Sequence, residues 1–254
     1  MIFLQSDLSQ DGFFDGDLKF WQPKQGYRAS TDSVYLAAAV PALAGQSVLE
    51  LGCGAGVALG CLCQRISGLS AAGLEIQAEY LELAKRNFSE NGLSIEVFEG
   101  DLTEMPKILR MKNFDHVIAN PPFFNKTSHT APADSGKVLA HMAGPETTAN
   151  WVNTAIKRLK PRGILTMIHH VDSLPDIFQA IGSKAGDFKV LPIASRVGNP
   201  ARRVIFQARK GALGPMRLLA PLIVHTGARH GDADDGYSQQ TAAILRQGAA
   251  LWLG

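Results

Sequence analysis

Apolar positions along this chain follow two alternating periods. From residue 29 onward, short runs rich in β-branched and aliphatic residues are separated by longer stretches in which apolar residues recur every three or four positions. SVLELG (47–52), SAAGLEI (70–76), SIEVFEG (94–100), FDHVIAN (114–120) and GILTMIHH (163–170) read as strands. ASTDSVYLAAAVPAL (29–43), GVALGCLCQRI (56–66), QAEYLELAKRNFSENG (77–92) and ETTANWVNTAIKRL (146–159) read as helices. Ser30 or Thr31 caps the first of them. In the third, Leu81, Ala84 and Phe88 share a face, Glu82 and Arg86 are spaced for an i,i+4 ion pair, and Asn91-Gly92 is a stop. A short helix near TEMPKILRM precedes the fourth strand, and Pro161 and Gly163 end the fourth helix. DSLPDIFQAIGSKAG predicts a further helix. FKVLPIASR and RRVIFQARK predict a hairpin around VGNPA, RLLAPLIVHTG an extended segment, and SQQTAAILRQG a last helix.

This alternation implies an α/β fold with a mainly parallel sheet and helices on both faces. Such sheets bind ligands at the carboxyl ends of their strands, so chemistry is expected just after each strand. No repeat or low-complexity linker divides the chain. The expectation is one domain over 1–254: an N-terminal segment and helix to 45, a core over 46–210, and an extension over 211–254.

Composition narrows the picture. Apolar residues make up 46% and charged residues 19%, ordinary for a globular core. No apolar run approaches a membrane span, and MIFLQSDLSQDG does not read as a signal peptide. Cys53, Cys61 and Cys63 read as reduced thiols of a cytoplasmic protein. The seven histidines lack metal-ligand spacing, and no metal is expected. Net charge is +2, but residues 1–100 carry 6 Lys/Arg against 12 Asp/Glu, while 157–217 carry 12 against 3. The basic part suits a polyanion.

Candidate chemistry gathers at the predicted strand ends. ELGCGAG holds glycines at 52, 54 and 56, a sharp turn that brings backbone close to a ligand. The spacing is GxGxG, not the GxGxxG of dinucleotide folds, and no Gly-Lys-Ser/Thr follows. The next strand ends in Glu75, where a carboxylate can accept both hydroxyls of a ribose. The one after ends in Asp101, placed to accept from an adenine amino group. Glu50 with nearby backbone suits the ammonium of an attached amino acid. The fourth strand ends in Asn120-Pro121-Pro122-Phe123. There the Asn120 side-chain oxygen and the stiffened Pro121 carbonyl can accept protons from a planar amine, while Phe123 offers a stacking face.

In this order, ELGCGAG, GLEI, EGD and NPPFF resemble the successive motifs of class I S-adenosylmethionine-dependent methyltransferases, over about residues 22–210. That resemblance implies a Rossmann-like, seven-stranded, mostly parallel sheet with a C-terminal antiparallel hairpin, and S-adenosyl-L-methionine as cofactor. It places Arg28, Thr31, Glu50, Gly52, Cys53, Gly54, Gly56, Glu75, Ile76, Asp101, Leu102 and Asn120 around the cofactor. Asn120, Pro121, Pro122 and Phe123 fall at the methyl acceptor.

Among amino-group methyltransferases, the chain is most similar to the bacterial family that modifies the 6-amino group of an adenine next to a tRNA anticodon. QPKQGYRASTDSVYLAAA resembles its cofactor-covering segment, and RRVIFQARKG and PLIVH its closing hairpin and tail. Related enzymes often carry Tyr where this chain has Phe123, a feature shared with guanine-modifying enzymes. The expected partner is structured RNA, tRNA foremost. The 157–217 region and the long 124–146 connection, with Lys126, His129, Lys137 and His141, are expected to meet its phosphates. A guanine 2-amino group, a protein glutamine amide, a small-molecule hydroxyl, or a non-catalytic RNA-binding role are the alternatives. Oligomeric state is not legible.

Overall fold

Adjacent residues of the central strands bury to opposite sides of one sheet, as a period of two requires. Val48, Ala71, Ile118, Ile168 and Ile205 pack into one core, while Leu49, Ala72, Val117, Leu165 and Phe206 pack into another. The computed structural model describes residues 3–122, 145–227 and 236–254. Its central strands are β3 (Ser47–Leu51), β4 (Ser70–Glu75), β5 (Ile95–Glu99), β6 (Phe114–Ala119), β7 (Leu159–His170), β8 (Ala185–Ala194) and β9 (Arg203–Lys210). They lie in the order β8-β9-β7-β6-β3-β4-β5, with β9 antiparallel to both neighbours and every other pairing parallel. These are the seven expected strands. Two-residue strands β10 (Arg217–Leu218) and β11 (Leu222–Ile223) add to β8, making nine among the described residues. Pro221, between them, has no N–H to donate and breaks the extended segment in two.

Helices α1 (Thr31–Ala39), α2 (Val57–Arg65) and α3 (Ala78–Glu90) cover the first core. Helices α4 (Lys107–Arg110), α5 (Pro145–Arg158) and α6 (Leu174–Ile181) cover the second. A final helix, α7 (Gln239–Gln247), returns to the first side, capped by the Ser238 hydroxyl and ended by Gly248 at φ 65°. Helix α6 is shorter than its pattern suggested, because Gly182 at φ 52° stops it. On α3 the surface ion pairs differ from the expected one: Lys85 pairs with Glu82 at 2.7 Å, and Arg86 with Glu90 at 2.7 Å. Arg86 also lies over the Trp21 ring, 4.5 Å from its centroid, which draws it away from Glu82.

The N-terminal segment, to which the sequence assigned no element before Gln22, is an antiparallel hairpin of β1 (Leu8–Phe13) and β2 (Leu18–Pro23). Its turn, Phe14-Asp15-Gly16, uses positive φ at all three residues. The outer edge of β2 is hydrogen-bonded by two asparagine side chains one helical turn apart on α3. Asn87 Oδ1 accepts from the Trp21 N–H at 2.8 Å, and its Nδ2 donates to the Trp21 carbonyl at 3.0 Å. Asn91 repeats the pattern on Lys19, at 2.9 and 2.7 Å. Each amide thereby substitutes for a neighbouring strand. Asn87, fully buried, also donates to the Ala55 carbonyl at 2.9 Å and so ties the hairpin to the glycine turn.

Replacing Asn87 with Ala strands two backbone carbonyls and one N–H away from water. Urea unfolding is expected to show a loss of about 2–4 kcal/mol for Asn87→Ala and about 1 kcal/mol for the more exposed Asn91→Ala. Equal losses for the two would mean that the link to Ala55 adds nothing.

Candidate active site at the sheet switch point

Strand order reverses between β3 and β6, and Leu51 pairs with Ala119. Gly52 and Asn120, the next residues, therefore leave the sheet side by side, about one strand spacing of 4.8 Å apart. A reversal of this kind opens a crevice, because the loops after the two strands turn to opposite faces.

The three glycines serve different ends. A Cβ on Gly52 would lie 2.4 Å from the Trp151 ring, and one on Gly56 would lie 2.4 Å from Phe88. Both are glycines because the core presses against the turn. A Cβ on Gly54 would meet the Tyr27 ring at 3.4 Å. Gly54, at φ 53°, is thus the one whose bare backbone faces the covering segment. The turn is fastened by the Cys53 N–H, which donates to the Leu74 carbonyl at 3.0 Å.

Glu75 gathers this region. Its Oε2 accepts from Gly54 N–H at 2.8 Å, and its Oε1 from Ile76 and Gln77 N–H at 3.0 Å each. Three of about four lone-pair positions are occupied, so a hydroxyl arriving there has one open position and shares the rest. Burial raises the Glu75 pKa, opposed by those three hydrogen bonds. Glu50, buried at the neighbouring tip, accepts from Leu59 N–H at 3.1 Å through one oxygen, and its other oxygen takes no hydrogen bond from a described residue. Burial pushes its carboxyl well up, and the Glu75 charge adds to the rise. A cation would relieve both effects, so an attached ammonium fits this position. Asp101 Oδ1 accepts from the Thr103 N–H at 2.6 Å and from the Thr103 hydroxyl. Ile76, 51% exposed, and half-buried Leu102 follow β4 and β5 and fit an uncovered apolar slot for a flat ring. Cys53, Cys61 and Cys63 are free thiols, Cys63 pushed up to about 12 by burial, and none is activated.

Other expected residues have different surroundings. The Arg28 guanidinium holds the hairpin, donating to Ser9 Oγ at 2.9 Å and the Pro23 carbonyl at 2.7 Å, and pairing with Asp11 at 2.6 Å. Thr31 is the first residue of α1, after the Ser30 cap. Pro121 is buried and Pro122 half-buried. Phe123 and the 124–144 connection, with Lys126, His129, Lys137 and His141, lie outside the described residues.

Tyr27 drew no notice in the sequence. The Asn120 Nδ2 donates to its hydroxyl at 3.4 Å, which turns Asn120 Oδ1 the other way, and Tyr80 donates to the Tyr27 carbonyl at 2.9 Å. Desolvation of the hydroxyl and the nearby Glu50 carboxylate hold the Tyr27 phenol well above its usual pKa. Its only sequence signal is its place between Gly26 and Arg28 in the covering segment.

The basic region divides between two edges. The β7–β9 register places Arg209 beside Ile164 and Arg203 beside His170. Lys160, Arg162, Lys184, Arg209 and Lys210 therefore lie at the edge away from the crevice, whereas Arg196, Arg202 and Arg203 lie at the carboxyl edge with it. Among the described residues, no cluster of three or more His, Cys, Asp or Glu is placed to hold a metal ion, and no helix is long and apolar enough to cross a membrane.

Residues 29–174 match the family described as Methyltransferase small domain. A tRNA1(Val) (adenine(37)-N6)-methyltransferase of Bacteroides fragilis strain YCH46 is 26% identical over 202 residues, 78% of this chain and 84% of the relative. An enzyme of the same name from Porphyromonas gingivalis strain W83 is 27% identical over 179 residues, 65% of this chain and 69% of the relative. A crystal structure from Agrobacterium tumefaciens, described as a predicted O-methyltransferase, superposes with a TM-score of 0.70 at 26% identity, covering 87% of this chain and 98% of that one.

Because the folded pKa of Glu50 lies above its unfolded value, its contribution to stability is present at low pH and is lost as pH rises through the folded pKa. Glu50→Gln is expected to raise the melting temperature of the ligand-free protein near pH 8 by at least about 2 °C, with the gain vanishing toward pH 4. Differential scanning calorimetry across pH checks this, and a pH-independent difference would refute it.

Proposed function

Since the chain belongs to the Methyltransferase small domain family, we propose that it transfers a methyl group from S-adenosylmethionine to the 6-amino group of an adenine in tRNA. The observation that carries this reading is Asn120-Pro121-Pro122 leaving β6 directly beside the glycine turn, at the point where strand order reverses. The relatives named as tRNA adenine-N6-methyltransferases support the choice of acceptor.

When bound, the cofactor supplies an electrophilic methyl on a sulfonium. The chain supplies position. Glu75 accepts from the ribose hydroxyls and Asp101 from the adenine amino group, between Ile76 and Leu102. Glu50 neutralises the ammonium. Backbone of Gly52, Cys53 and Gly54 lines the crevice, closed from the N-terminal side by Thr31 and the Tyr27 ring. The acceptor amine donates two hydrogen bonds, one to Asn120 Oδ1 and one to the Pro121 carbonyl, and keeps both protons, which directs the nitrogen lone pair toward the methyl. Pro122 stiffens this kink, and Phe123 stacks on the acceptor ring. The methylated nitrogen sheds a proton to water, so no protein base of matched pKa is needed.

A hydroxyl acceptor is the reading that the Agrobacterium relative's description would favour. It requires a base at the acceptor. Among the described residues, the titratable group hydrogen-bonded to Asn120 is the Tyr27 phenol, whose raised pKa keeps it protonated. That observation favours an amine.

Asn120→Ala is expected to lower kcat for methyl transfer to tRNA by about 10²–10³-fold while S-adenosylmethionine affinity changes little. Tritiated-methyl incorporation followed by nucleoside mass spectrometry reads both the rate and the modified base. Wild-type rates in the variant, or label confined to protein, would overturn the proposal.

A further inference from the structure

A second cavity opens at the carboxyl edge, between the β8–β9 turn and the segment after β11. Its volume is ≈330 Å3, and Ser195, Asn199, Arg202, Arg203 and His225 contribute its polar lining, with no carboxylate among the lining residues. Its walls are tied together. Arg196 donates to the Thr226 and Gly227 carbonyls at 2.8 and 2.9 Å, and His225 N–H to the Ser195 carbonyl at 2.9 Å. Asn199 Nδ2 donates to Ser195 Oγ at 3.0 Å.

The two lining arginines differ. Arg203 pairs with Asp32 at 2.7 Å. Asp32 is 1% exposed on α1, and burial raises its carboxyl while Arg203 draws it down. One arginine is thus neutralised, and it anchors the cavity to the helix that begins at Thr31. Arg202 is exposed and makes no hydrogen bond or ion pair through its side chain to another described residue. A cavity with hydroxyl and amide groups and, among the described residues, one uncompensated guanidinium suits a singly charged anion with several acceptor oxygens. β9 is two strands from β6, so Arg203 stands roughly 10 Å along the edge from Asn120.

We propose that this cavity binds a backbone phosphodiester of the RNA, close along the strand to the nucleotide that enters the crevice, with Arg202 as its principal ligand. The inference rests on the RNA reading above and adds which of the many cations meets the nucleic acid at this edge.

The test measures tRNA binding by fluorescence anisotropy over a salt series, in parallel with methyl-transfer kinetics and S-adenosylmethionine affinity. Arg202→Ala is expected to weaken tRNA binding about tenfold and to raise KM with kcat nearly unchanged. The slope of log K against log salt should fall in magnitude by roughly 0.7–1. Arg202→Lys should restore the slope and part of the affinity, and Arg202→Glu should weaken binding further. Cofactor affinity should match wild type in all three, which reports an intact fold. Unchanged tRNA affinity and salt slope in Arg202→Ala and Arg202→Glu would overturn the cavity's role while leaving the methyltransferase reading intact. Wild-type protein that binds tRNA with the expected salt slope but transfers no methyl to it would overturn the function, and the binding arm would still decide the cavity. Wild-type protein without affinity for tRNA would overturn both.

Discussion

Two carboxylates buried at neighbouring strand tips set the terms for the rest of the molecule. Glu50, one residue before the end of β3, and Glu75, the last residue of β4, are both nearly out of reach of water, and the Glu75 charge raises the cost of ionising Glu50. A buried charge needs partners, and the chain provides them unevenly. Glu75 takes three backbone N–H groups, one of them from Gly54. The glycine turn is therefore shaped by the acid as much as by its own flexibility. Glu50 takes one, from Leu59 at the start of α2. The imbalance leaves a site that is costly without a cation and settled with one. Burial that would be a defect in a purely structural protein here favours one kind of guest.

The N-terminal hairpin is the second half of that arrangement. Among the described residues no strand of the nine-stranded sheet pairs with it, since β1 and β2 form a sheet of their own, and its Phe14, Leu18 and Phe20 reach the first core by packing alone. The Asn87 and Asn91 amides dock it against α3, and Asn87 reaches on to Ala55. The covering segment that follows then lies over Gly54, with the Tyr27 hydroxyl against Asn120. That contact gives the amide a preferred orientation, because the tyrosine hydroxyl takes up its N–H and leaves the oxygen for another donor. A fully buried amide on a surface helix is thus connected, through backbone, to the geometry of a residue on the far side of the crevice.

Much of this was legible from residue patterns, for a physical reason. Parallel strands buried on both faces leave strong apolar runs, and polar residues that interrupt those runs at their ends stand out. Glu50, Glu75, Asp101 and Asn120 were visible in that way, as was the β8–β9 hairpin through its Gly-Asn-Pro turn. The β1–β2 hairpin was not, since β1 is largely polar and half-exposed, and Lys19 and Gln22 interrupt the apolar residues of the more buried β2. Three hairpin oxygens hold the Arg28 guanidinium, contacts that the sequence did not disclose because spacing says nothing about which way a long side chain swings. The glycines were read as one motif, yet Trp151 and Phe88, far away in sequence, dictate two of them. The basic stretch looked like one surface because sequence distance hides that antiparallel β9 carries its two ends to opposite edges of the sheet.

That division by edge makes sense of the charge pattern as a whole. Across the carboxyl edge, the tips of β3, β4 and β5 bear or lead into Glu50, Glu75 and Asp101, while the far side, at β8 and β9, bears Arg196, Arg202 and Arg203. Asn120, neutral, stands between them at the end of β6. On the proposed reading, a donor that carries a sulfonium and an ammonium would be attracted to the acidic side, and a polyanionic acceptor to the basic side. Each would be repelled from the other's place. On that reading the two would meet at the switch point, where an uncharged amide and a proline carbonyl would offer oxygen acceptors without adding charge to either partner. Opposed fields along one sheet edge would then do part of the work of orientation before any short-range contact forms.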